Sequence, residues 1–250
     1  MLDSSRQNKE AWEFNAYDFW VQHSGRPEEA AKKILSDPRR SLRYHAPYFR
    51  GFEGVRVASI CGSCGKRAVA LAALGAEVTV FDISRENERY AMEMAQAAQV
   101  DIRYEVCDVL EIDLARYGGY FDAVYMEGGI LHYFHDLGAF MRMMRALLRP
   151  DGYMICSDFH PLTKVVDVLG FQQPLRSYFD SEAFEGEMPH AKFYDQEKRN
   201  RFPKCSLRKY TLSEIINAVI AEGFTLTRFD EHPAWTNGDL PGEFTIVANK

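Results

Sequence analysis

Short apolar runs rich in β-branched residues alternate along the chain with stretches in which apolar residues recur every three or four positions. Val55 to Ile60 (VRVASI) is the first such run and reads as a buried strand entering a turn at Cys61 and Gly62. From Lys66 the period lengthens. Ala68, Val69, Ala72 and Ala73 share one helical face, Gly75 supplies a stop after Leu74, and Glu77 to Phe81 is a second strand closed by Asp82. A β-loop-α-β unit of this kind predicts parallel strands joined by a right-handed crossover.

The unit recurs. A helix over about Arg85 to Ala98 precedes a strand at Asp101 to Val106, and Phe121 to Met126 makes another strand after the Gly118-Gly119 turn. Phe140, Met143, Met144, Leu147 and Leu148 follow helical spacing until Pro150 and Gly152 stop them, so the methionines read as core packing. Gly152 to Ser157 is a fifth strand, Leu212 to Glu222 a helix, and Phe224 to Phe229 and Glu243 to Ala248 the last two strands. EHPAWTNGDLPG between those two is too short and too rich in turn residues for a crossover helix, so they pair as an antiparallel hairpin. The fold class is α/β, a doubly wound, mostly parallel sheet of seven strands.

Composition narrows the function. A chain of 250 residues with 46% hydrophobic content can bury a full core, and its formal net charge of -6 argues against a dedicated nucleic-acid binder. The start MLDSSRQNKEAWEF has no basic flank and apolar run, and no apolar stretch reaches membrane-spanning length. Five cysteines without a regular framework fit reduced thiols, so the expected location is the cytoplasm.

The loop SICGSCGKR, Ser59 to Arg67, admits three chemistries. Its Cys-x-x-Cys could be a thiol redox pair at a helix N-terminus, or half of a zinc site, or the small residues could let backbone approach a nucleotide. No second cysteine pair completes a zinc site. A redox pair does not need an acid closing the next strand, and Asp82 stands there, 20 positions after Gly62. A dinucleotide reading stays open, although Gly-x-Gly-x-x-Gly is absent.

The doubly wound sheet, its C-terminal hairpin, the loop and Asp82 together resemble the class I S-adenosylmethionine-dependent methyltransferases, small-molecule type, over about residues 50 to 250. The resemblance implies S-adenosylmethionine as cofactor and S-adenosylhomocysteine as product. It places Cys61, Gly62, Ser63 and Gly65 around the methionyl part, and Asp82 with Ile83 at the ribose. Asp108 with Val109 falls at the adenine, and Glu127 with Gly128 in the loop near the acceptor. Counting back from Asp82 aligns Ser59 with the family's acidic position, which leaves Glu127 as the nearest acid for the cofactor's amino group.

Acceptor chemistry is expected outside the core fold. Residues 1–50 form an N-terminal helical cap, 51–250 the cofactor-binding domain, and 159–210 a lid inserted within it, since connections of about 50 residues are usually functional. Aromatics of the cap (Trp12, Phe14, Tyr17, Phe19, Trp20) and of the lid (Phe171, Tyr178, Phe179, Phe184, Phe193, Tyr194, Phe202) either wall an apolar pocket or hold the lid to the sheet. His132 and His160 are the candidate catalytic bases, with His135 a third choice, and Tyr17 is the polar tip expected near the methyl group. No metal is expected. Seven basic residues from Lys192 to Lys209 are the best argument for an RNA acceptor. The expected function is O- or N-methylation of a small organic acceptor by a monomer or homodimer. An RNA or protein methyltransferase of the same fold, a nicotinamide-dependent oxidoreductase and a non-catalytic binding module are the alternatives.

Overall fold

The computed structural model describes residues 1–167 and 177–250. Its main sheet has seven strands: β1 Arg56–Ile60, β2 Glu77–Asp82, β3 Ile102–Val106, β4 Phe121–Met126, β5 Leu148–Phe159, β8 Thr225–Pro233 and β9 Pro241–Asn249, with β6 Phe184–Gly186 and β7 Cys205–Leu207 forming a separate two-stranded sheet. The order is β3-β2-β1-β4-β5-β9-β8. The first five strands pair in parallel, while β9 runs antiparallel to both β5 and β8. The expected seven-stranded sheet and its final hairpin are therefore present. That hairpin is longer than its apolar runs indicate, because β8 and β9 continue pairing to Pro233 and Pro241.

Among the described residues, ten α-helices surround the strands: α1 Asp3–Glu13, α2 Ala16–Ser24, α3 Pro27–Ser36, α4 Pro38–Ser41, α5 Lys66–Ala73, α6 Arg85–Ala98, α7 Leu114–Tyr117, α8 Leu137–Leu147, α9 Gln196–Arg199 and α10 Leu212–Ala221. Local chemistry starts several of them. Ser84 accepts from the Asn87 N–H at α6, Asp136 from the Ala139 N–H at α8, and Thr211 and Glu214 form a reciprocal capping box at α10. Within α8 the buried stripe is Leu137, Phe140, Met141, Met144 and Leu147. Met143 sits at its edge, and Leu148 already begins β5.

Alternation along the strands divides the core. Val57, Val78, Val80, Tyr125 and Ile155 face α3, α5 and α6. Ala58, Ile60, Phe81, Val124, Met126 and Met154 lie on the other face, with Phe140 and Met144 of α8 and Ile215 and Val219 of α10. Successive residues pointing to opposite faces give this two-sided burial, as a parallel sheet covered on both sides requires.

Helix α1 and the small sheet are tied together. The Asn8 Nδ2 donates to the Ser206 carbonyl at 3.1 Å, and the Ser206 N–H donates to Asn8 Oδ1 at 2.8 Å. Further along, the buried Lys164 ammonium donates to the carbonyls of Tyr178 and Asp180 at 2.5 and 2.7 Å. These bonds fasten residues 177–210 over the C-terminal ends of the strands. No described helix is long and apolar enough to cross a membrane.

Gly65 opens α5 at φ +75°, and a Cβ built there would lie 2.5 Å from the Ala91 Cβ on α6. Gly65→Ala is therefore expected to lower unfolding stability by about 1–3 kcal/mol through overpacking and a left-handed backbone, measurable by urea denaturation.

Candidate active site

Loops at the C-terminal ends of β1, β2, β3 and β4 meet helices α1 and α2 and residues 189–193 around a cavity of about 510 Å³. Cys61, Gly62, Ser63, Asp82, Ile83, Asp108, Val109, Glu127, Gly128 and His132 all line it. Gly65 does not. Its role is the close approach of α6, which corrects its assignment to the cofactor, whereas Gly62 packs against Val80 and Ser59 as well as facing the cavity.

The loop after β1 owes its shape to Asp82. One carboxylate oxygen accepts from the Ser63 N–H at 2.9 Å, and the other from the Ser84 N–H at 3.0 Å and Asn87 Nδ2 at 3.2 Å. Cys61 and Ser63 hold φ of +48° and +51° within that loop, and the Tyr104 hydroxyl donates to the Ser63 carbonyl. Burial pushes the Asp82 carboxyl upward while these donors pull it back. Burial also raises the thiols of Cys61 and Cys64, so neither is the stabilised thiolate a redox pair needs. They serve as small residues.

Asp108 supplies the decisive polar atom. Its Oδ1 accepts from the Leu110 N–H at 3.0 Å, but its Oδ2 is buried without a hydrogen-bond partner among the described residues. A buried acceptor lining a cavity calls for a donor on whatever fills it. The exocyclic amino group of an adenine is such a donor, Asp82 retains acceptor capacity for ribose hydroxyls, and the apolar Val109 and Ile83 flank them. The residues present fit an adenosyl group.

The comparisons agree. Residues 60–156 match the family model of a methyltransferase domain. That stretch, which runs from the end of β1 through most of β5, is a methyltransferase domain. Among solved structures, an S-adenosylmethionine-dependent methyltransferase from Mesorhizobium loti is 19% identical with a TM-score of 0.63, over 86% of this chain and all of that one. Magnesium protoporphyrin IX methyltransferase from Synechocystis PCC 6803, with S-adenosylhomocysteine bound, is 14% identical with a TM-score of 0.62, over 99% and 100% of the two chains. A 1,6-didemethyltoxoflavin-N1-methyltransferase from Burkholderia thailandensis is 19% identical with a TM-score of 0.54, over 94% and 86%. At these identities the likeness is one of fold. No protein of curated function matches the sequence.

Beyond the adenosyl end, the methyltransferase's cavity is walled by Trp12, Phe19, Trp20, Tyr133, Phe159, His190, Phe193 and Trp235. Tyr17 is absent from this wall. Its hydroxyl donates to Glu93 at 2.5 Å and its ring packs on Tyr90, because the left-handed Asn15 between α1 and α2 turns it toward α6. The expectation of Tyr17 near the methyl group is thus corrected. His160 also lies off the cavity. Its Nδ1 accepts from the Leu162 N–H and its Nε2 sits 3.0 Å from Glu231, so it caps a short helix and pairs with β8. His135 shares a 3.2 Å hydrogen bond with Ser206 instead. Tyr194 and Phe202 pack with Phe14 in the small cluster under α1, holding the lid rather than lining the cavity. Phe171 lies outside the described residues.

His132 remains. It lines the cavity, and burial with the nearby Lys209 charge lowers its pKa to about 3. The ring is neutral at physiological pH. Residues that sequence reading missed are Arg67, which lines the cavity and binds Glu127, and Arg43, which Glu243 holds at 2.8 Å.

Proposed function

We propose that this methyltransferase acts on an oxygen or nitrogen atom of a small organic acceptor seated in the aromatic half of the cavity. The observation that carries the reading is the enclosure itself: cap, lid and the β8-β9 turn each contribute aromatic side chains to one space continuous with the adenosyl site. The proposed division is accordingly a helical cap over residues 1–50, a cofactor domain over 51–250 and a lid over 159–210.

S-adenosylmethionine supplies, when bound, a methyl group on a positively charged sulfur, open to in-line displacement. Asp82 with Ile83 holds the ribose, Asp108 with Val109 the adenine, and the loops at Cys61 to Ser63 and Glu127 to Gly128 the methionyl part. The aromatic walls orient the acceptor and exclude water, and positioning of this kind contributes about 7–11 kcal/mol, against about 3–5 kcal/mol from a general base. His132 is too weak a base to strip an alcohol. Its neutral ring can accept a hydrogen bond from an acceptor's N–H or acidic O–H and so aim the nucleophilic lone pair. An amine, a heteroaromatic nitrogen or an easily ionised hydroxyl therefore suits the site best.

Small acceptors also feature among the fold neighbours, whose names specify magnesium protoporphyrin IX and 1,6-didemethyltoxoflavin. The basic residues of the lid give little support to RNA: Arg199 pairs with Glu187, Arg208 with Glu214, and Lys192 faces the cavity. A calorimetric titration with S-adenosylhomocysteine and with nicotinamide dinucleotides, followed by labelled methyl transfer to amine, heteroaromatic and phenolic panels and to RNA, tests the reading. Turnover only on RNA would overturn it.

Trp235 offers a separable check. It stands on the turn between β8 and β9, 54% exposed, edge-on to Phe159 at 6.2 Å. Trp235→Ala is expected to raise the acceptor's KM about tenfold, the size of one lost aromatic contact, and to leave S-adenosylhomocysteine affinity unchanged.

A further inference from the structure

Arg67, in the first turn of α5, and Glu127, just past β4, both line the cavity and meet through a single bond. The Arg67 Nε donates to Glu127 Oε1 at 3.0 Å, and Nη1 donates to the Ser41 carbonyl at 2.5 Å, while Nη2 has no hydrogen-bond partner among the described residues. On the acid, Oε2 lies 3.8 Å from Arg43 and 4.0 Å from His45, too far for hydrogen bonds. Arg43 is already engaged by Glu243, and burial keeps His45 neutral.

An arginine and a carboxylate side by side ordinarily close two parallel bonds. Here only one is closed. The pair leaves a cationic donor and an anionic acceptor unspent next to each other at the wall of the cavity, a poor arrangement for stability alone, since a partly buried ion pair must recover its desolvation through complete hydrogen bonding. A ligand carrying both charges would complete it. The residue aligned with the usual acid, Ser59, is buried in β1 and offers no carboxylate.

We propose that Arg67 and Glu127 form a two-sign clamp for the amino-acid end of the cofactor, Arg67 Nη2 binding its carboxylate and Glu127 Oε2 its ammonium. This rests on the cofactor reading above. Arg67 thereby becomes a cofactor-selecting residue that distinguishes an intact amino-acid tail from a bare nucleoside.

The full chain would be titrated calorimetrically with three ligands. S-adenosylhomocysteine carries both charges, its decarboxylated analogue keeps only the ammonium, and 5′-methylthioadenosine has neither. The parent is expected to prefer S-adenosylhomocysteine to the decarboxylated analogue by about 10- to 100-fold, the range for a hydrogen bond to a charged group. Arg67→Met should erase that preference and bind 5′-methylthioadenosine as the parent does, which also shows that it is folded. Glu127→Gln should weaken both amine-bearing ligands and spare 5′-methylthioadenosine. Equal weakening of all three by Arg67→Met would make Arg67 a fold residue and overturn the clamp. So would a parent that binds the decarboxylated analogue as tightly as S-adenosylhomocysteine, a result that needs no variant. A parent that binds none of the three would overturn the cofactor reading, and the clamp with it.

Discussion

Asp82→Ala is expected to weaken S-adenosylhomocysteine binding by about 100-fold, or about 3 kcal/mol. Two losses combine. An adenosyl ribose would lose its carboxylate acceptor, and the loop that surrounds the cofactor would lose the group that shapes it, because Asp82 accepts from the Ser63 and Ser84 N–H groups and from Asn87. Freed of that bond, Ser63 and Cys61 have little reason to stay at positive φ, where a side chain costs about 1–2 kcal/mol. Asp82→Asn should fall between parent and alanine variant, since one amide oxygen can still accept from Ser63 while the amide nitrogen opposes the Ser84 donor. Calorimetry gives both affinities, and a thermal melt without ligand separates loop disorder from general unfolding. Affinity unchanged in Asp82→Ala would remove Asp82 from the site.

Asp82 could be found from sequence because it depends on local periodicity: a β-branched run, small residues, a helical stripe and a second run ending in an acid. The mostly parallel strands followed from the same alternation, and the final hairpin from a connection too short for a helix. Tertiary placement was less legible. The aromatics from Trp12 to Trp20 show no single helical stripe because Asn15 breaks the segment into two helices, which sends Trp12 toward Tyr133 and His190 and turns Tyr17 toward α6. His160 occupies the strand end where a catalytic base is sought, yet an N-cap position there looks the same in sequence. Gly65 matched a glycine loop but faces Ala91, a contact that appears only when α5 and α6 cross. Arg43 and Glu243 stand 200 positions apart, beyond any local pattern.

Asp158 makes the other large prediction, and it was not among the residues picked for the site. Its Oδ2 accepts from the Ile130 and Leu131 N–H groups at 2.8 and 2.7 Å, and its Oδ1 from its neighbour Phe159 at 2.6 Å. This carboxylate therefore anchors the segment that carries His132 into the cavity. Asp158→Ala strands those buried donors and is expected to cost about 3–5 kcal/mol of unfolding stability in urea. Burial raises the Asp158 pKa from 3.8 to about 6, against the pull of its backbone donors. The folded chain thus holds a proton that the unfolded chain has released. This contribution to stability is complete below about pH 4 and is lost as pH rises through about 6, a change of about 3 kcal/mol for a shift of about two units. Asp158→Asn cannot titrate, so the stability of the parent minus that of Asp158→Asn should fall by about 3 kcal/mol between about pH 4 and pH 7. A difference that does not fall over this range would mean that the folded carboxylate titrates no higher than the unfolded one, its backbone donors offsetting burial. Either result leaves the alanine variant's loss intact, because that loss comes from unpaired N–H groups rather than from charge.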